Sequence, residues 1–266
     1  MKSREQEFMN PSPSENQTIS LMKKHRSIRK FTDRPVDHDT LAALVAAAQC
    51  AATSHHVQAY TIIHVTDPEK RRTISDLAGP QPWVVQAPVF LVFCADLTRL
   101  VEAAESHGIP PETGWAEQLL VATVDTALIA QNLMIAAESM DLGGVFIGGI
   151  RNDPETVSQL LCIPDHAFPV FGMCLGYPDQ DPEVKPRFPV DMILREETFY
   201  GPEGKPDPEG DQAAMADFDA LLNAYYRRRT EKLKDRNWSK PLGEFTGQII
   251  RPGMKEFLQK RGFFLK

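Results

Sequence analysis

The run LLVATVDTALIAQNLMIAAESM, Leu119 to Met140, sets how the rest of this 266-residue chain is read. Within it only Asp125 and Glu138 carry charge. As a helix, its 22 residues at ~1.5 Å per residue span roughly 33 Å. A soluble-protein helix that is apolar nearly all round needs cover on several sides. We expect a second copy of the chain to supply part of that cover, the alternative being a monomer core that encloses it. Asp125, Gln131, Asn132 and Glu138 interrupt the apolar run and argue against a membrane span.

On either side of this helix the pattern changes. AYTIIHVTD (Ala59–Asp67) and APVFLVFCAD (Ala87–Asp96) are rich in β-branched and aromatic residues and end at Asp, so both predict strands. GGVFIGGI (Gly143–Ile150) predicts a short strand or turn, and AFPVFGMCLGYP (Ala167–Pro178) a buried strand. Helices are expected between them: one capped by Asp37 or Asp39, with Leu41, Leu44, Val45 and Ala48 as its stripe, and one stopped by Gly79 and Pro80. A Pro/Gly-rich loop, Tyr200–Asp211, precedes a C-terminal helix with a basic end. This order gives an α+β fold with one mixed central β-sheet flanked by helices. Residues 1–17, rich in Ser, Pro and Glu, are expected to be a flexible tail, and 18–266 a single domain.

A net charge of −7 asks for neither nucleic acid nor an anionic membrane, so any basic cluster needs a local explanation. Cys50, Cys94, Cys162 and Cys174 have no C-x-x-C spacing; buried free thiols in a reducing compartment are expected, with no disulfide and no metal site. The first residues have no apolar core of a signal peptide, and we expect a cytoplasmic protein.

The chain has no G-x-G-x-x-G, P-loop, G-x-S-x-G or H-E-x-x-H. His55 and His56 are adjacent, so their side chains diverge and make a poor metal pair. What stands out is HRSIRKF, His25–Phe31. On an extended backbone His25, Ser27 and Arg29 fall on one side and suit an anion, arginine giving forked donors and serine a hydroxyl. A solvated basic helix end, continuing Lys23 and Lys24, is the plain alternative. VKPRF adds Lys185 and Arg187 around Pro186. Together with the glycine-flanked FIGG, the two clusters suggest an organic phosphate whose attached ring lies along exposed backbone amides.

HRSIRKF, AAESMDLGGVFIGGIRND and GMCLGYPDQDPEVKPR resemble, in this order and spacing, the bacterial nitroreductase family. The resemblance is to its NADPH-preferring group of oxygen-insensitive nitroreductases and flavin reductases, and it runs from about Ile19 to the C-terminus. It implies a nitroreductase-like fold, an intertwined homodimer with a long buried interface helix, and one FMN per subunit. His25, Arg26, Ser27 and Arg29, with Lys185 and Arg187, would then hold the phosphate and ribityl end or the pyrimidine side of the flavin. Gln81 would reach the ring's polar edge, with Phe146, Ile147, Gly148 and Gly149 beside the ring. Thr53, Ser54 and His55 stand where the family has a serine-rich run reaching the flavin from the partner subunit. His55 and His56 depart from that run and put the acceptor preference in doubt.

RRRTEKLKDR, Arg227–Arg236, is either a solvated helix end or, as the family pattern implies, the stretch that meets the 2′-phosphate of NADPH, with Arg229 as the positional match. Glu117 matches an active-site-proximal position but equally suits the first turn of a helix. The expected function is ping-pong, two-electron reduction of nitroaromatics, quinones or free flavins by NADPH. An FMN, chromate or quinone reductase on the same fold is the alternative. A flavin-binding protein without turnover and a nucleic-acid use of the arginine stretch are weaker. With the cofactor carrying the chemistry, no protein residue is nominated as catalytic.

Overall fold

The computed structural model describes residues 16–229 and 236–266. The expected tail therefore lies outside the described residues except for its last positions, as do residues 230–235 of the arginine stretch. The described chain divides into two compact units, 16–181 with 251–266, and 182–250.

Four strands form the sheet of the larger unit: β1 Tyr60–His64, β2 Val89–Asp96, β3 Gly143–Ile147 and β4 Ala167–Gly176, in the order β1-β2-β4-β3. All three pairings are antiparallel, which corrects the expected mixed sheet. The sequence could place the strands but not orient them, because orientation depends on which edges pair.

β2 is buried at every position, and the period of two explains how. Val89, Leu91 and Phe93 enter one core with Leu44, Ile129, Leu133 and Met134. Phe90, Val92 and Cys94 enter another with Ile74, Val84, Ile150 and Val157. A strand covered on both faces reads as a continuous apolar run, as VFLVFCA does. Its register with β4 shifts between Phe93 and Cys94, whose partners are Phe171 and Pro169. Pro169 cannot donate to a ladder and sits at this irregularity.

The helices of the larger unit are α1 Gln17–Lys23, α2 His38–Ala48, α3 Pro68–Leu77, α4 Trp83–Gln86, α5 Thr98–Ser106, α6 Ala116–Ser139 and α7 Pro154–Leu160. Asp37 caps α2 by accepting the Thr40 N–H at 2.7 Å. α3 ends ahead of Gly79, whose φ of 81° only glycine adopts readily. α6 is long and apolar enough to cross a bilayer by length and composition. It is nonetheless a core helix, burying Ala122, Asp125, Ile129, Leu133, Met134 and Ala137. Its opposite face leaves Leu120, Val124 and Leu128 at 60%, 53% and 42% exposure.

The smaller unit holds α8 Val190–Ile193, α9 Pro208–Arg229 and α10 Ser239–Thr246. Phe218, Leu222 and Tyr225 of α9 form its core with Phe188 and Trp238. Asp219 accepts the N–H groups of Trp238 at 2.7 Å and Ser239 at 2.9 Å, tying the start of α10 to α9. The last helix, α11 Met254–Lys260, returns to the larger unit, where Phe257 and Phe263 pack with Ala59, Ala95 and Phe168.

All four cysteines are free, but only Cys94 and Cys174 are buried. Cys50 and Cys162 are exposed, against expectation, because each falls just past a helix end rather than inside an apolar run. Burial pushes the Cys94 and Cys174 thiols far up, so neither offers a thiolate.

Candidate flavin site

Beyond α1 the chain runs extended along the sheet. Ile28 donates its N–H to Gly144 at 2.8 Å and Thr32 to Tyr177 at 2.9 Å, while Lys30 accepts from Asp179 at 3.0 Å. Ile28 is buried and anchors the segment. In an extended chain this sends Ser27 and Arg29 to the other side. Arg29 stacks its guanidinium over the Trp83 ring, 5.6 Å from the centroid.

From Trp83 the contacts lead on to the glycines. Trp83 Nε1 donates to Gln81 Oε1 at 3.2 Å, and Gln81 Nε2 donates to the Ala78 carbonyl at 2.8 Å. A Cβ on Gly149 would collide with that carbonyl and approach Gln81 Nε2 to 2.8 Å. Arg29, Trp83, Gln81 and Gly149 thus form one continuous line. Phe146 is partly exposed and meets Phe171 edge-on at 5.2 Å, on the sheet face of Phe93 and opposite to that of Trp83, while Ile147 is wholly buried. Ile147 therefore offers no surface to a ligand.

His25 and Arg26 are already engaged. His25 Nδ1 lies 2.6 Å from Glu138 Oε1. Arg26 pairs with Asp181 and donates to the Lys24 carbonyl at 3.1 Å, leaving its buried Nε without a partner.

Thr53, Ser54 and His55 belong to a different place. Neighbouring Ala51 packs in the core of Leu41 and Ile129, whereas Trp83 packs in that of Phe90 and Ile150. These cores lie on opposite sides of the sheet, so one chain does not gather both sets. The loop is held by Asp125, and within it His55, His56 and Gln58 adopt φ of 48°, 60° and 51°. Three left-handed residues other than glycine are costly and persist only where the surroundings fix them. Thr53 Oγ1 is buried with no partner.

In the smaller unit Lys185 and Arg187 are exposed, and Arg187 donates to the Lys185 carbonyl at 2.9 Å. Arg229 closes α9 and donates to Tyr225 Oη at 3.0 Å. Glu117 is exposed in the first turn of α6.

Sequence reasoning missed Trp83, which joins Arg29 to Gln81, and Arg151, whose Nη2 lies 3.4 Å from where a Gly148 Cβ would be. Burial first and Arg251 second lower the Arg151 pKa. Arg151 was visible as the one charge in GGIRN, but nothing there told where it turned.

Residues 22–177 match the nitroreductase family and residues 185–266 its C-terminal domain. The chain belongs to the nitroreductase family. It is 40% identical over 250 residues to an FMN reductase (NADPH) of Bacillus subtilis (strain 168), covering 93% of this chain and 98% of that protein. It is 40% identical over 246 residues to an oxygen-insensitive NADPH nitroreductase of Salmonella typhimurium, covering 92% and 98%. The NfrA1 nitroreductase of B. subtilis superposes with a TM-score of 0.88 at 39% identity, over 94% of this chain and 100% of that one. The chain therefore has the nitroreductase fold.

Proposed function

We propose that this protein is an FMN-dependent NADPH oxidoreductase that reduces nitroaromatics, quinones or free flavins by ping-pong, two-electron transfer. The observation that carries this is the line Arg29–Trp83–Gln81–Gly149, which puts a cation, an amide and a close-packed glycine backbone in one stretch. Its relatives named FMN reductase (NADPH) and NADPH nitroreductase support the donor and the reaction class.

The donor set fits FMN. Arg29 and His25 suit the phosphate, Ser27 and the buried unpartnered Nε of Arg26 the polar ribityl chain, and Gln81 the ring edge. Gly148, whose nearest neighbour at a Cβ position is the flexible end of Arg151, leaves room for a flat ring against backbone, whereas Gly149 packs against the Ala78 carbonyl. Lys185 and Arg187 join this set on the family's pattern, as does Arg229 for the 2′-phosphate of NADPH. Bound FMN supplies two-electron redox chemistry between a hydride donor and an acceptor. The chain's residues bind and orient it and exclude water. We take 18–266 to work as one FMN-binding domain.

We further place the protein in the cytoplasm as a homodimer. Its four free thiols suit a reducing compartment. Leu120, Val124 and Leu128 lie one turn apart on the exposed face of α6 and offer an apolar stripe to a second copy. Thr53, Ser54 and His55 would then meet the flavin of the partner, which accounts for their separation from Arg29 within one chain.

Steady-state kinetics test the reading. Parallel double-reciprocal lines for NADPH against a nitroaromatic agree with ping-pong transfer, and intersecting lines contradict it. The FMN reductase relative favours a second reading, free FMN as the preferred acceptor. A higher kcat/KM for FMN than for any nitroaromatic or quinone would select it.

A further inference from the structure

Of the two carboxylates in the run Leu119–Met140, Asp125 is spent on backbone N–H groups. The other, Glu138, meets a side chain. Its Oε1 lies 2.6 Å from His25 Nδ1, with the glutamate side chain 12% exposed and the histidine 27%. An ionised carboxylate only accepts, so Nδ1 carries the shared hydrogen. The imidazole plane is then fixed, and Nε2, on the opposite edge of the ring, has no hydrogen-bond partner among the described residues. Arg26 cannot take over this role, since its guanidinium is held by Asp181 and the Lys24 carbonyl.

We propose that Glu138 is a positioning residue for the flavin phosphate, acting through His25. It would fix the ring so that Nε2 is turned toward the phosphate of bound FMN. Glu138 touches no flavin atom. This is the logic by which a carboxylate behind a metal-bound histidine fixes tautomer and orientation, applied to a phosphate. The inference rests on the reading that His25 and Arg29 hold that phosphate. The competing role is a staple that merely fastens the end of α1 to the end of α6. The two differ in what they discriminate: a staple serves any flavin, whereas a phosphate-directed histidine serves FMN and not riboflavin.

The experiment titrates the full-length, flavin-free protein with FMN and with riboflavin, following quenching of flavin fluorescence. The readout is the ratio of the two dissociation constants. Glu138→Gln keeps the volume and removes the charge. It should lower the FMN preference about tenfold while changing riboflavin affinity less than about twofold. His25→Ala should do the same, and the double variant should lose little more than His25→Ala alone. Equal weakening of both flavins by Glu138→Gln reduces the residue to a staple and overturns the proposal. An unchanged ratio in Glu138→Gln, with a collapsed ratio in Arg29→Ala, overturns the proposal and keeps the phosphate reading. An unchanged ratio in both His25→Ala and Arg29→Ala removes the phosphate reading, and the proposal with it.

Discussion

Asp125 Oδ1 accepts the backbone N–H of Ser54 at 3.0 Å, and its other oxygen takes that of Ala59 at 3.2 Å. One carboxylate on the long helix thus brackets the loop that carries three left-handed residues. Asp125 is 1% exposed, so its loss would leave two N–H groups without their acceptor. Asp125→Ala should cost about 2–4 kcal/mol of stability. Asp125→Asn should cost less, because the amide oxygen keeps one bond. Urea unfolding of both variants checks the order; equal stability of Asp125→Ala and wild type would remove the bracketing role.

The neighbouring glycines should separate folding from flavin binding. A Cβ on Gly149 runs into the Ala78 carbonyl, a backbone atom that cannot move aside. On Gly148 the nearest atom is Arg151 Nη2 at 3.4 Å, the end of a flexible side chain. Gly149→Ala should destabilise by about 1–3 kcal/mol, as overpacking does. Gly148→Ala should melt near wild type but bind FMN more weakly. Thermal melts and flavin titrations of the pair measure both effects.

Arg29→Ala combined with Arg187→Ala should give a folded, colourless protein. Circular dichroism reports the fold and the flavin absorbance reports loading. A yellow double variant with full FMN content would contradict the phosphate assignment.

For Arg229, donor choice is the readout. If the guanidinium reads the 2′-phosphate, Arg229→Ala should raise the KM for NADPH about tenfold or more and leave that for NADH nearly unchanged. Loss of its bond to Tyr225 Oη should have little effect on stability, since Tyr225 stays packed in the smaller unit's core. Equal changes for both donors would exclude the role.

Asp219 predicts an acid sensitivity. Burial raises its pKa, but the Ser239 side chain and the backbone N–H groups of Ser239 and Trp238 outweigh it and hold the carboxyl below its usual range. A carboxylate depressed on folding contributes stability that is present above the unfolded value, about 3.9, and fades as pH falls through the folded one. Wild type should therefore lose stability relative to Asp219→Asn as pH drops below about 4, and exceed it near neutrality. Denaturation midpoints of the two proteins across pH 2–7, the acid half of the range, give the comparison.

Much of the fold is written locally in this chain. The continuous apolar run of β2 and the nearly uncharged α6 each state their own element, and the Asp37 cap marks where α2 starts. Strand direction was not legible, since nothing within Gly143–Ile147 says which way its neighbour runs. α10 and α11 were missed because both are short, eight and seven residues, and α10 carries a proline and a glycine. For the candidate site, the anion-suited residues of HRSIR announce themselves, but their company does not. Trp83 under Arg29, Glu138 behind His25 and Asp125 under Ser54 are contacts between distant parts of the sequence. The two carboxylates were visible only as interruptions of an apolar helix, and their partners needed the tertiary structure.

The most direct test of the account is a visible spectrum of the purified protein, followed by NADPH under anaerobic conditions. The account predicts a flavin band that bleaches with NADPH and returns on adding a nitroaromatic or quinone. A protein that shows no flavin band even after reconstitution with FMN, or a band that NADPH leaves untouched, would contradict it.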